Sequence, residues 1–148
     1  MSLQAVIFDV DGTLADTERD GHRVAFNIAF REAGLVWEWD VALYGELLAV
    51  TGGKERMRAY VEKYRRDLRA RGDLGDMIAG LHRAKTKHYV ALMEQGGIPA
   101  RPGVVRLVQE LRAAGLRLAI ATTTSPENVE VLLRTTLAAL PPGSFEVI

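Results

Sequence analysis

The chain has 148 residues, 48% of them hydrophobic and 26% charged, with lysine plus arginine equal to aspartate plus glutamate at 19 each and no cysteine. That composition folds, and its length allows one ordinary domain or a small core with a small lobe. Zero net charge gives no field to recruit nucleic acid or an anionic membrane, and the missing cysteines exclude a disulfide scaffold and a thiolate metal site. The start of the chain has no basic region or cleavage site before its short apolar run, so a cytoplasmic protein with no nucleic-acid or membrane partner is expected.

Ala5-Val6-Ile7-Phe8 is an unbroken apolar run that ends in Asp9, as a central parallel strand buried on both faces would. From about Asp16 to Gln95 the patterns are helical, with no convincing strand. One helix is expected over Arg23–Ala33, stopped near Gly34. A second is capped by Asp40 and runs to Val50, a third covers Arg56–Leu68, and a fourth covers Asp76–Gln95, ended by Gly96-Gly97. His82 and His88 are expected on the surface of the fourth helix, and Trp37 and Trp39 in a helical core. Val104, Leu107, Val108 and Leu111 fall on one helical face, opened by Pro102 and closed by Gly115. Arg117-Leu-Ala-Ile-Ala121 is a second strand. Ser125 and Pro126 then open another helix as N-cap and first residue. Phe145–Ile148 begins a third strand. The alternation of strand and helix is an α/β pattern. An all-helical block inside it, residues 16–97, reads as an inserted lobe between core segments 1–15 and 98–148.

The chemistry sits in Phe8-Asp9-Val10-Asp11-Gly12-Thr13-Leu14, just past the carboxyl end of a strand, where open α/β sheets place ligands. In extended chain, residues two apart point the same way, so Asp9 and Asp11 converge on one volume. Their mutual repulsion is relieved by a hard divalent cation, and magnesium takes a few carboxylates with waters and phosphate. Gly12 lets backbone N–H groups approach a phosphoryl group, and Thr13 adds a hydroxyl. An Asp-Gly pair alone is a common turn; the full string behind an apolar strand is what points to a site. Gly52-Gly53-Lys54-Glu55-Arg56 is a glycine turn with two cations entering a helix, a reasonable grip for a phosphate and equally a charged helix start. It is not a Walker A loop, because no Ser or Thr follows Gly-Lys.

The Asp-x-Asp-Gly-Thr string resembles motif I of the haloacid-dehalogenase superfamily, and Leu118–Thr122 resembles its motif II. The resemblance implies a Rossmann-like α/β core with an inserted helical cap. Asp9 would be the nucleophile that forms an aspartyl-phosphate, and Asp11 the general acid and base. Magnesium (Mg2+) would be held by Asp9 and the backbone carbonyl of Asp11. Thr122, with Thr123 beside it, would bind the transferring phosphoryl group. Asp16-Thr17-Glu18, His22-Arg23, Val50–Arg56, His82–Thr86 and Arg101-Pro102-Gly103 are similar to the CbbY-type sugar-phosphate phosphatases, over essentially the whole chain. That subgroup acts on xylulose-1,5-bisphosphate, a Rubisco inhibitor. In a substrate site of this kind Glu18, His22, Lys54 and Arg56 would join Gly12, Thr13, Thr122 and Thr123.

One departure from the superfamily concerns order. Its motif III lysine and motif IV acidic pair follow motif II, yet after Thr122 this chain holds no lysine and no aspartate. Lys85 and Lys87 lie in the cap and are poor substitutes. A further C-terminal segment is therefore expected to complete the core. The expected activity is magnesium-dependent hydrolysis of a sugar phosphate, a bisphosphate above all. The alternatives are a hexose-phosphate mutase or an inactive fragment that only binds a partner or phosphate ligand.

Overall fold

The computed structural model describes residues 3–148. The chain divides into two compact units, Met1–Glu18 with Leu92–Ile148, and Arg19–Ala91. The composition suggested divisions at 15/16 and 97/98. The second division falls inside a continuous helix, Leu74–Glu94, so no change of composition marks it.

The first unit holds strands β1 (Ala5–Phe8) and β2 (Arg117–Ile120). They pair in parallel, with Ala5 opposite Arg117 and Phe8 opposite Ile120. Val6, Phe8, Leu118 and Ile120 share one face by the alternation of the pleat, and Phe8, Leu118 and Ile120 are buried there. The other face differs from the reading of a strand buried on both sides: Ala5 is exposed and Ile7 is 67% exposed. A four-residue apolar run records only that the strand is apolar, not how many layers cover it. The Phe145–Ile148 segment, expected to begin a third strand, lies beside β2 but forms a single parallel bridge, Ala119 to Val147. It is held by Ile120 N–H to Val147 O at 2.9 Å and Glu146 N–H to Leu118 O at 2.8 Å. Helix α5 (Val104–Ala113) packs beside β2, and α6 (Pro126–Arg134) starts with proline in its first turn. Ser125 precedes it in extended conformation, with no side-chain capping bond; its carbonyl accepts from Asn128 instead.

The second unit is helical, as expected. A π-helical turn at Glu18–His22 leads into α1 (Arg23–Glu32); α2 (Val41–Leu47), α3 (Gly53–Tyr64) and α4 (Leu74–Glu94) follow. Asp40 caps α2, its carboxylate accepting from Leu43 N–H at 2.7 Å. Helix α3 starts three positions before the expected Arg56, because Gly52 (φ 92°) lets its carbonyl accept from Arg56 N–H at 2.9 Å. It also ends earlier, and a short 3-10 turn covers Arg66–Leu68. Trp37 and Trp39 do form the core, with Phe26, Phe30, Tyr44 and Tyr60 around them. Ring centroids lie 4.8 Å apart for Phe26–Trp39 and 4.9 Å for Phe30–Trp39. Such pairs add about 0.5–1.5 kcal/mol each beyond area burial. The extended segment that carries Trp39 is fixed by buried Asn27. Its amide donates to Trp39 O at 2.9 Å and accepts from Trp39 N–H at 2.8 Å.

Candidate active site

Residues 9–17 leave β1 as a tight loop. Gly12 is left-handed at φ 76°, and Gly12 N–H donates to Ala15 O at 2.8 Å. Thr13 and Leu14 N–H both donate to Val10 O, at 3.2 and 2.9 Å. Val10, Leu14 and Ala15 are buried and anchor the turn, while Asp9, Gly12 and Thr13 face solvent. Alternation between apolar anchors and polar residues thus turns a strand end into an outward-facing set of oxygens. Asp9 Oδ1 accepts from Val10 N–H at 2.7 Å, which fixes the plane of the carboxylate. Asp11 is half-buried, and the hydroxyl of fully buried Thr17 donates to its Oδ1.

The parallel register brings motif II to the same end of the sheet. Ala121 N–H donates to Phe8 O at 2.9 Å, so Asp9 and Thr122 leave neighbouring strands together. Thr122 Oγ1 accepts from Thr124 N–H at 3.3 Å, and an accepting hydroxyl still has its hydrogen to give to a phosphoryl oxygen. Thr124 Oγ1 accepts in turn from buried Asn128 Nδ2 at 3.0 Å. Thr123 is exposed beside them. Arg101 holds the loop from the other side: its Nη1 donates to Gly12 O and to Asp16 Oδ1, each at 2.8 Å.

The donor set here is all oxygen, two carboxylates and loop carbonyls, the hard kind that magnesium accepts. Among the described residues no group of three or more His, Cys, Asp and Glu could hold a metal. The Asp9 carboxylate and the Asp11 carbonyl would leave the remaining ligand positions to water and phosphate oxygens, which is how magnesium is usually held.

The other expected substrate residues lie in or beside the second unit. Glu18 opens the π-helical turn and is half-buried. His22 closes it, buried, stacked on Tyr89 at 4.2 Å, with Nδ1 2.8 Å from Lys85 Nζ. Lys85 is itself buried, 5.2 Å from the Phe26 and Tyr89 ring centroids. Lys54 is exposed in the first turn of α3. Arg56 is not solvated: it is buried, with Nε donating to Leu47 O (3.2 Å) and Val50 O (3.3 Å) and Nη1 to the Tyr44 hydroxyl at 2.8 Å. Its guanidinium ties α2 to α3, which departs from the phosphate contact expected of a charged helix start. His82 and His88 also depart from the expected surface positions. His82 is half-buried over Gly53, and His88 Nε2 pairs with Glu32 at 2.8 Å. Burial holds the His82 imidazole below its ordinary pKa, and Lys85 and Lys54 push the same way. Thr17, Asn27 and Arg101 carry contacts that no local pattern signals; each has its partner six or more positions away.

Residues 3–141 match the family model of haloacid dehalogenase-like hydrolases, and the chain belongs to that family. Within it the chain is similar to CbbY proteins. It is 50% identical to the plasmid-encoded CbbY of Cupriavidus necator over 99% of this chain and 57% of that protein. It is 47% identical to CbbY of Cereibacter sphaeroides over 99% of this chain and 61% of that one. The crystal structure of Rhodobacter sphaeroides CbbY in complex with phosphate superposes with TM-score 0.86 at 46% identity, covering 99% of this chain and 63% of that one. A mutant of that CbbY in complex with xylulose-(1,5)bisphosphate gives TM-score 0.84 at 46% identity over the same shares. The chain thus spans about three-fifths of the length of these relatives.

Proposed function

We propose that the protein is a magnesium-dependent phosphatase of sugar phosphates, with a bisphosphate such as xylulose-1,5-bisphosphate as substrate. The observation that carries this reading is the parallel register, which sets Asp9, Asp11 and Thr122 at one end of the β1–β2 pair. The Asp9 carboxylate attacks phosphorus, an aspartyl-phosphate forms, and the P–O bond to the sugar breaks. Asp11 gives its proton to the departing sugar oxygen. It then takes a proton from water, which attacks the aspartyl-phosphate and releases inorganic phosphate and free Asp9. Thr122 and the Gly12–Thr13 backbone hold the phosphoryl oxygens. Asp9 and the Asp11 carbonyl would hold magnesium, which would supply charge neutralisation between carboxylate and phosphate. The resemblance to CbbY-type phosphatases extends the proposed substrate contacts to Lys54, Glu18 and His22, and Arg56 supports Lys54 by fixing α3. The choice of a bisphosphate rests on the likeness to the CbbY that was crystallised with xylulose-(1,5)bisphosphate.

The test is phosphate release from xylulose-1,5-bisphosphate with and without magnesium, on wild type and Asp9→Asn. Asp9→Asn should lose about a thousandfold or more, the scale of an essential nucleophile. Near wild-type turnover in that variant would overturn the assignment of Asp9. A sugar-phosphate isomer as product, in place of inorganic phosphate, would overturn hydrolysis.

A further inference from the structure

We infer that Arg101 is a positioning residue for the Asp11 loop. This rests on the reading of Asp11 as acid and base. The arginine lies in the first unit, after α4 has ended, and stands just before α5; its carbonyl accepts from Val104 N–H at 3.1 Å at the start of that helix. It is therefore attached to a regular element, while the loop it touches is not regular.

Three contacts bind it to the loop. Nη1 donates to Gly12 O and to Asp16 Oδ1, both at 2.8 Å. Its backbone N–H donates to Leu14 O at 2.9 Å, next to an antiparallel bridge between Ala15 and Ala100. Asp16 and Arg101 are 62% and 47% exposed, and an exposed ion pair alone stabilises little. The contact to Gly12 O is of another kind. It fixes a peptide group in a left-handed turn, one residue after Asp11, where glycine's freedom would otherwise let the backbone swing. The Thr17 hydroxyl holds the Asp11 carboxylate, and Arg101 holds the Gly12–Thr13 peptide, one peptide beyond Asp11. Misplacement of a proton donor by a fraction of an ångström is enough to slow transfer.

A single nitrogen makes both side-chain contacts, so no planar fork is required. Lysine, with one ammonium and three donors, can satisfy the same pair. Methionine keeps the stem and removes the donors. Arg101→Met and Arg101→Lys in the full chain are compared by amide hydrogen exchange at Gly12, Thr13 and Leu14, and by kcat and KM for the bisphosphate with magnesium. Arg101→Met should speed exchange at these amides and lower kcat about tenfold or more with little change in KM, the scale of one lost charge-assisted hydrogen bond. Arg101→Lys should restore both. Loop protection in Arg101→Met equal to wild type, or failure of lysine to rescue, overturns the inference. Turnover is read in the protein that carries the expected C-terminal segment; its absence there would overturn the phosphatase reading, and the exchange measurement then decides Arg101 by itself.

Discussion

Thr17 is fully buried and gives its hydroxyl hydrogen to Asp11 Oδ1, which fixes the carboxylate proposed to act as acid and base. Thr17→Val keeps the shape and removes the donor. A hydrogen bond to a charged group contributes about 1.5–3 kcal/mol, so kcat for phosphate release should fall about ten- to a hundredfold. Thr17→Ser should recover most of it, and an unchanged kcat in Thr17→Val would show that the hydroxyl does not orient Asp11. At this scale the sequence was legible where chemistry is local. Asp9, Asp11, Gly12 and Thr13 fall in one short stretch, and a strand end in front of them sets their direction. Thr17 and Arg101 were not legible as site residues, because their work depends on how the loop folds back. The burial of Arg56 was not legible for the converse reason: a cation at a helix start looks solvated until Tyr44 and the Leu47 and Val50 carbonyls close around it.

Helix α3 shows how a contact from another element sets the bounds of one element. An added Cβ on Gly53 would meet His82 Cδ2 and Nε2 at 2.9 Å and Phe26 Cζ at 3.3 Å. Glycine is therefore required there by a neighbour, not by its own backbone angle. Alanine would gain helix propensity, up to about 1 kcal/mol. It would also have to displace a half-buried imidazole and crowd the Phe26 ring, and overpacking of this kind costs about 1–3 kcal/mol. The clash should win, so Gly53→Ala should destabilise the chain in urea denaturation. In a His82→Ala background the same change should be neutral or stabilising. Equal effects in both backgrounds would show that His82 does not limit position 53. The helices themselves were legible from periodicity and caps, Asp40 above all. The early start of α3 was not, since two adjacent glycines read as a loop until His82 and Phe26 give the second one a reason to be helical.

The α/β class of the first unit was legible because short apolar runs, a glycine stop and a Ser-Pro helix start keep their meaning in any tertiary context. The number of layers over the sheet was not, because an apolar run is the same whether one face is covered or two. In the structure one face is buried through Phe8, Leu118 and Ile120, and the other carries Ile7 at 67% exposure. Among the described residues β1 pairs only with β2, so its far edge presents unpaired N–H and C=O groups beside an open apolar face. Val147 and Ile148, at 60% and 63% exposure, add apolar surface beyond β2. An apolar edge of this kind is a template for another strand. The isolated chain should therefore self-associate as concentration rises, in a way that depends on Ile7. Ile7→Lys places a charge on that face, a device by which natural sheets block edge pairing. It removes no buried contact, so the thermal midpoint should change little while the associated fraction falls. Sedimentation velocity on wild type and Ile7→Lys over a range of concentrations measures this directly. Identical monomeric profiles for both at every concentration would show that the open face does not drive association.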